Sequence, residues 1–135
     1  MIGGWRLRDQ STGQIVVANL EIADNYWSRF WGLQFRKELP AGAGMLLVPC
    51  PSVHTFWMRF AIDVLLLDKQ GQVLAVRHHV RPWRVVWPVR HSHATLELPA
   101  DTATVAVNSV LTIEALDSTT SLPASVAFLS GSQSH

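Results

Sequence analysis

A chain of 135 residues with 48% hydrophobic and 16% charged side chains can bury a core of its own, which excludes an intrinsically disordered segment. The net charge of +1 gives no global attraction to nucleic acid or acidic surfaces, and a single cysteine, Cys50, excludes an internal disulfide and the paired-cysteine zinc spacings. No secretory leader is read at the N-terminus and no window approaches the roughly 18 apolar residues of a membrane span, so a soluble chain in the reducing cytoplasm is expected.

Trp5 and Leu7 alternate with Arg6 and Arg8, Asp9 to Gly13 supply turn chemistry, and a β-branched run follows to Ile22, which predicts a β-hairpin. Asp24 is placed to cap a short helix, with Trp27, Phe30 and Trp31 on one face toward a sheet and Gly32 ending it. Pro40 to Gly44 form a loop, Met45 to Val48 a short strand, and Val53 to Met58 an extended segment. Val64 to Leu67, the turn Asp68 to Gly71, and Gln72 to His79 make the clearest hairpin.

Residues 77–93 differ in kind. No acid stands between Asp68 and Glu97, while Lys69, Arg77, Arg81, Arg84 and Arg90 accumulate around Trp83 and Trp87, and Pro82 and Pro88 forbid a helix. Strands are read again at Ala94 to Leu98 and Leu111 to Leu116, with an apolar segment at Ala103 to Val107. The fold class is therefore mostly β: a compact antiparallel β-barrel or sandwich with one short helix. Residues 1–116 form the single β-rich domain, and 117–135 a Ser/Thr-rich tail whose one weak docking patch is Val126 to Leu129.

The stretches Arg29-Phe-Trp-Gly-Leu-Gln-Phe-Arg36, Gly44-Met-Leu46, His54-Thr-Phe-Trp-Met-Arg-Phe60, Ile62-Asp-Val64, Leu67-Asp68 with Gly71, and Leu96-Glu-Leu98 resemble the bacterial and archaeal domain of unknown function 192. The resemblance spans residues 15–116 and implies a small β-rich domain, with no activity attached. The chain departs from that pattern at Asp101, where a glycine is usual, and at Asn108-Ser109, where a Gly-Asp pair is usual. Asn tolerates the left-handed backbone that Gly supplies.

Several chemistries are open to the residues. His54, Asp63, Asp68 and Glu97 have the donor types of a divalent-cation or acid–base site, but no spacing fixes a geometry, and the plainer reading pairs Asp63 and Glu97 with Arg29, Arg36 or Arg59. Cys50 with His54 has the ingredients of a nucleophile and base, without an orienting third group. Arg77 to His93 combine charge and stacking as single-stranded nucleic-acid binders do, or fold back as a lid. Trp57 and Arg59, sharing a strand face, offer an aromatic platform and an anion grip, with Met58 in the core.

The expectation is a non-catalytic domain that binds a small polar or anionic ligand, or a protein segment, through His54, Trp57, Arg59 and Asp63. Its alternatives are a hydrolase-like enzyme using His54 with Asp63 or Cys50, and a nucleic-acid module through Arg77–His93. No catalytic residue, metal or cofactor is assigned. Neither nucleic acid nor a membrane is the expected partner, and the oligomeric state is left open.

Overall fold

In the computed structural model, which describes residues 2–117 and 119–131, nine strands run in the order β1 (Ile2–Asp9), β2 (Ile15–Ala23), β3 (Ala43–Leu47), β4 (Val53–His54), β5 (Ile62–Leu67), β6 (Val73–Val80), β7 (Val85–Val86), β8 (Ala94–Pro99) and β9 (Leu111–Ala115). Helix α1 (Tyr26–Trp31) follows β2, and a 3-10 helix (Ala124–Leu129) closes the described chain. Seven strands form one sheet, β6-β5-β8-β3-β2-β1-β9, and β4 with β7 form a second. The mostly β architecture expected from the sequence is present. The large sheet is mixed, because β2 and β3 run parallel across the α1 connection while the other pairs are antiparallel. Its edges meet through a bridge between Gln72 and Val110 without closing into a barrel.

Alternation along the central strands builds two cores. Leu65 and Leu67 of β5, Leu46 of β3, and Leu96 and Leu98 of β8 face one side, where Trp5, Val17, Leu111, Val126 and Leu129 join them. Val64 and Leu66 with Met45 and Leu47 face the other, where Val86 and Met58 cover them. Every residue of β5 is buried, as a strand packed on both faces requires.

Two hairpins follow the turn chemistry read from the sequence. Leu7 pairs with Val17 across a turn in which Asp9 accepts the Ser11 N–H at 3.0 Å. In the second, Asp68 accepts the amides of Gln70 and Gln72 at 2.8 and 2.9 Å, and Gly71 closes the turn at φ +79°. A Cβ at Gly71 would stand 2.8 Å from Leu129 Cδ2 and 3.0 Å from the Leu111 carbonyl oxygen. Gly71→Ala is therefore expected to cost roughly 2–3 kcal/mol, from the left-handed backbone and the clash together. A lower urea midpoint at unchanged slope would show it.

The helix departs from expectation in two ways. Its cap is Asn25, whose side chain accepts the Ser28 N–H at 2.9 Å, while Asp24 accepts the Ser125 hydroxyl at 2.8 Å. Phe30 and Trp31 are exposed rather than turned to the sheet. A helix of six residues buries little, and here Ser28 and the following Leu33 take the inward positions. The Trp27 side chain lies outside the described residues. Asn108 adopts φ +78°, the left-handed conformation anticipated for it.

Candidate functional site

A cleft of about 130 Å³ opens between α1 and the junction of the two sheets. Arg29, Phe30 and Trp31 wall it on one side, Val53, His54 and Met58 on the other, and Glu97 lies beneath. The segments carrying the family resemblance, from Arg29 to Leu33, from His54 to Met58, and Leu96-Glu-Leu98, are distant in sequence and meet here.

Glu97 sits mid-strand on β8, opposite Met45 on one side and Val64 on the other, so it faces the second core. It is 3% exposed and makes no hydrogen bond or ion pair among the described residues. Burial pushes its carboxyl up to about 8, against the lowering pull of the nearby Arg36 guanidinium. The Arg36 fork is itself bonded to Glu21, at 2.8 and 3.3 Å. A carboxyl held up to about 8 is mostly protonated at pH 7 and then able to donate a hydrogen bond. The pairing with an arginine expected from the sequence fails because Arg36 is engaged by Glu21 and Arg29 donates to the Asp24 carbonyl at 3.0 Å.

Asp63 lies on the opposite face. It pairs with Leu98, one residue out of phase with Glu97, and it is fully buried. Its oxygens accept the main-chain N–H groups of His79, Asp101 and Ala103 at 2.8–2.9 Å, and His78 Nδ1 lies 3.4 Å away. Burial raises its pKa, but these amides and His78 outweigh that and hold it below the ordinary carboxylate range. Its partners are therefore not the arginines anticipated, and its place is a loop anchor rather than the cleft.

His54 reaches the cleft wall, where its Nδ1 accepts the Phe56 N–H at 3.2 Å. The Cys50 thiol also lines the cleft, but it donates to the Ser52 carbonyl at 2.9 Å and burial pushes its pKa up. Neither Cys50 nor Asp63 is bonded to the imidazole, so no proton relay is assembled among the described residues.

Trp57 and Arg59 do not share a strand face, because β4 ends at His54 and the chain turns. Met58 donates to the Thr55 carbonyl at 3.2 Å and Trp57 takes φ +66°. Thr55, fully buried, is the hub of this region. Its N–H donates to the Arg84 carbonyl at 2.8 Å, its carbonyl accepts the Trp83 N–H at 3.1 Å, and its hydroxyl bonds the Arg81 carbonyl and the Arg84 N–H at 2.6 and 2.8 Å. The turn 81–84 is thereby held against residues 54–57, and Trp83 is exposed rather than folded back as a lid.

The result is a rail of aromatic rings that the sequence reading missed. From the cleft, Phe30 touches Trp31 at a centroid distance of 5.3 Å, and Trp31 touches Phe35 at 5.9 Å. Phe35 stacks on Trp57 at 6.1 Å, and Trp57 meets Trp83 edge-on at 4.8 Å. Phe56 stacks on Trp83 at 5.6 Å, and His54 meets Phe56 at a tilt at 4.6 Å, which returns the rail to the cleft wall. Phe35, Trp57 and Trp83 all adopt φ +66°, a left-handed backbone that costs bulky residues about 1 kcal/mol or more each. The fold accepts that strain and leaves the rings exposed. The only signal in the sequence was the density of aromatics at 30–35, 54–57 and 83–87.

Among the described residues no group of His, Cys, Asp and Glu side chains is placed to hold a metal ion, and no helix is long and apolar enough to cross a membrane.

Comparison with known proteins bears on fold and kinship. A UPF0127 protein of Pyrococcus abyssi is 32% identical over 103 residues, covering 73% of this chain and 81% of the relative. Its counterpart in Pyrococcus furiosus is 34% identical over 92 residues, covering 64% of this chain and 77% of the relative. A crystal structure of a Sinorhizobium meliloti protein superposes with a TM-score of 0.67 at 21% identity, over 79% of this chain and 89% of that one. A protein of unknown function from Novosphingobium aromaticivorans gives the same TM-score at 17% identity, over 79% and 81% of the two chains. At such identities the two structures speak to fold alone. Residues 7–113 match the family described as DUF192, uncharacterized ACR, and the chain belongs to that family.

Proposed function

We propose that this domain binds, without catalysis, a small ligand that has an apolar body and presents a hydrogen-bond acceptor to Glu97. The observation that carries the reading is a nearly buried, unpaired carboxyl at the floor of a cleft walled by Phe30, Trp31 and Met58. Such a group costs free energy unless something meets it. Arg29 and His54 on the walls favour a carbonyl or carboxylate ligand over a cation. Trp57, joined to the wall through Phe35 and Trp31, and Arg59, next to Met58 in the chain, extend the recognition surface beyond the cleft. Asp63 supports the site from the far face by fixing the loop at 101–103.

Benzoate, a flat apolar body with one acceptor group, is the probe. In an NMR titration near neutral pH its shifts are expected to cluster at residues 29–34, 53–58 and 97, and to weaken as pH rises through about 8, where Glu97 ionises. Glu97→Gln, which keeps a donor and cannot ionise, should bind with no such pH dependence. Shifts that fall elsewhere, or that survive Glu97→Ala unchanged, would remove the cleft as the site.

A further inference from the structure

The aromatic rail is a surface that none of the described residues covers. Phe30, Trp31, Phe35, Trp57 and Trp83 are all exposed, and their ring contacts make one continuous patch. On β7, Val86 is buried while Val85 faces out, and Trp87, just past the strand, is 74% exposed. Val85 pairs with His54, which places this extension beside the rail. Soluble monomers rarely show so much contiguous apolar surface without a partner for it.

The charge around the patch is one-sided. Arg59, Arg77, Arg81 and Arg84 are exposed, and none has a carboxylate partner among the described residues. Between Asp24 and Asp63 the only acid is Glu38, and between Asp68 and Glu97 there is none. Carboxylates and arginines elsewhere neutralise each other, as Glu114 does with Arg6 and Arg8, so the net charge of +1 hides a basic face.

We propose that this face docks onto an anionic lipid bilayer, with the tryptophans at headgroup depth and the arginines against the acidic lipids. Indole rings have an apolar body and a polar N–H, and they settle at the membrane–water boundary. Basic residues next to such anchors add attraction to acidic headgroups. A second copy of the chain is the poorer occupant, since it would press the same guanidiniums together. Single-stranded nucleic acid is also poorer. Phe35 already stacks on Trp57 and Phe56 on Trp83, which takes up ring faces that successive bases would need. The sequence gives no expectation of a membrane partner because it holds no spanning segment; a surface anchor needs none.

The experiment is co-sedimentation of the full chain with vesicles of phosphatidylcholine alone or mixed with phosphatidylglycerol, at low and high salt. Binding to the acidic vesicles only is expected, with a blue shift in tryptophan emission and a loss of roughly tenfold or more at high salt. Trp57→Ser with Trp83→Ser should abolish it. Because those changes touch the Thr55 region, Arg81→Glu with Arg84→Glu serves as the second variant, since both side chains are exposed. It should weaken binding at least roughly tenfold while the melting temperature holds. Glu97→Gln should bind vesicles like the parent, which separates this surface from the cleft. Failure to bind acidic vesicles at low salt overturns the proposal. So does binding indifferent to both pairs of substitutions, tight capture of an oligothymidylate in preference to vesicles, or a dimer that buries the same tryptophans.

Discussion

Glu97→Gln is expected to stabilise the protein most at alkaline pH and to flatten its stability between about pH 5 and 9. A free glutamate loses its proton near pH 4.3, whereas the folded group holds it to about 8. Between those values the native state retains a proton that the unfolded chain has released, so stability falls as pH rises, by up to about 1.4 kcal/mol per unit. The decline is complete above the folded value, with a ceiling of order 4–5 kcal/mol. Glutamine has the shape of the protonated acid and no proton to lose, so the variant should match the parent near pH 4 and exceed it near pH 9. Urea denaturation at both pH values measures this. Parallel pH profiles would show that Glu97 is solvated or paired in solution, and the cleft would lose its polar floor.

Asp63→Ala should destabilise the protein by roughly 3–5 kcal/mol at neutral pH, an effect that fades on acidification. The carboxylate is the acceptor for three main-chain amides, and removing it leaves those donors stranded at a buried site. Asp63→Asn should recover little of the loss, because the new amide nitrogen is a donor aimed at donors. Since the folded pKa is depressed, this contribution is present above the unfolded value of about 3.9 and disappears as pH falls through the folded one. The parent should therefore show an acid transition that the alanine variant lacks. The amide resonances of residues 101–103 should broaden or shift in the variants while those of Trp5 and Leu7, in the other hairpin, stay put.

The elements that the sequence specifies locally were the legible ones. Asp68 to Gly71 carry a turn in their own side chains, and an unbroken apolar run ending at such a turn has little choice but to become a buried strand, as Val64 to Leu67 do. The parallel pairing of β2 with β3 was not legible, because it joins segments separated by a helix and a loop. The stretch at 53–58 misled because Thr55 stops the strand by bonding residues 81–84, far along the chain. Glu97 and Asp63 both stand in the sequence as carboxylates among apolar neighbours, yet their roles depend on what each strand face meets. The β5–β8 register pairs Asp63 with Leu98 and Val64 with Glu97, and alternation along each strand then sends the two carboxylates to opposite sides.

The division of the cleft between two sheets has a mechanical corollary. Its floor belongs to the large sheet through Glu97, while the wall at His54 belongs to the small β4–β7 sheet, tied to Arg81 and Arg84 by one threonine. A molecule gripping both parts would act as a clasp between them. Its arrival should register as slower deuterium uptake at residues 81–86 as well as at 53–58, although the cleft lining includes none of residues 81–86.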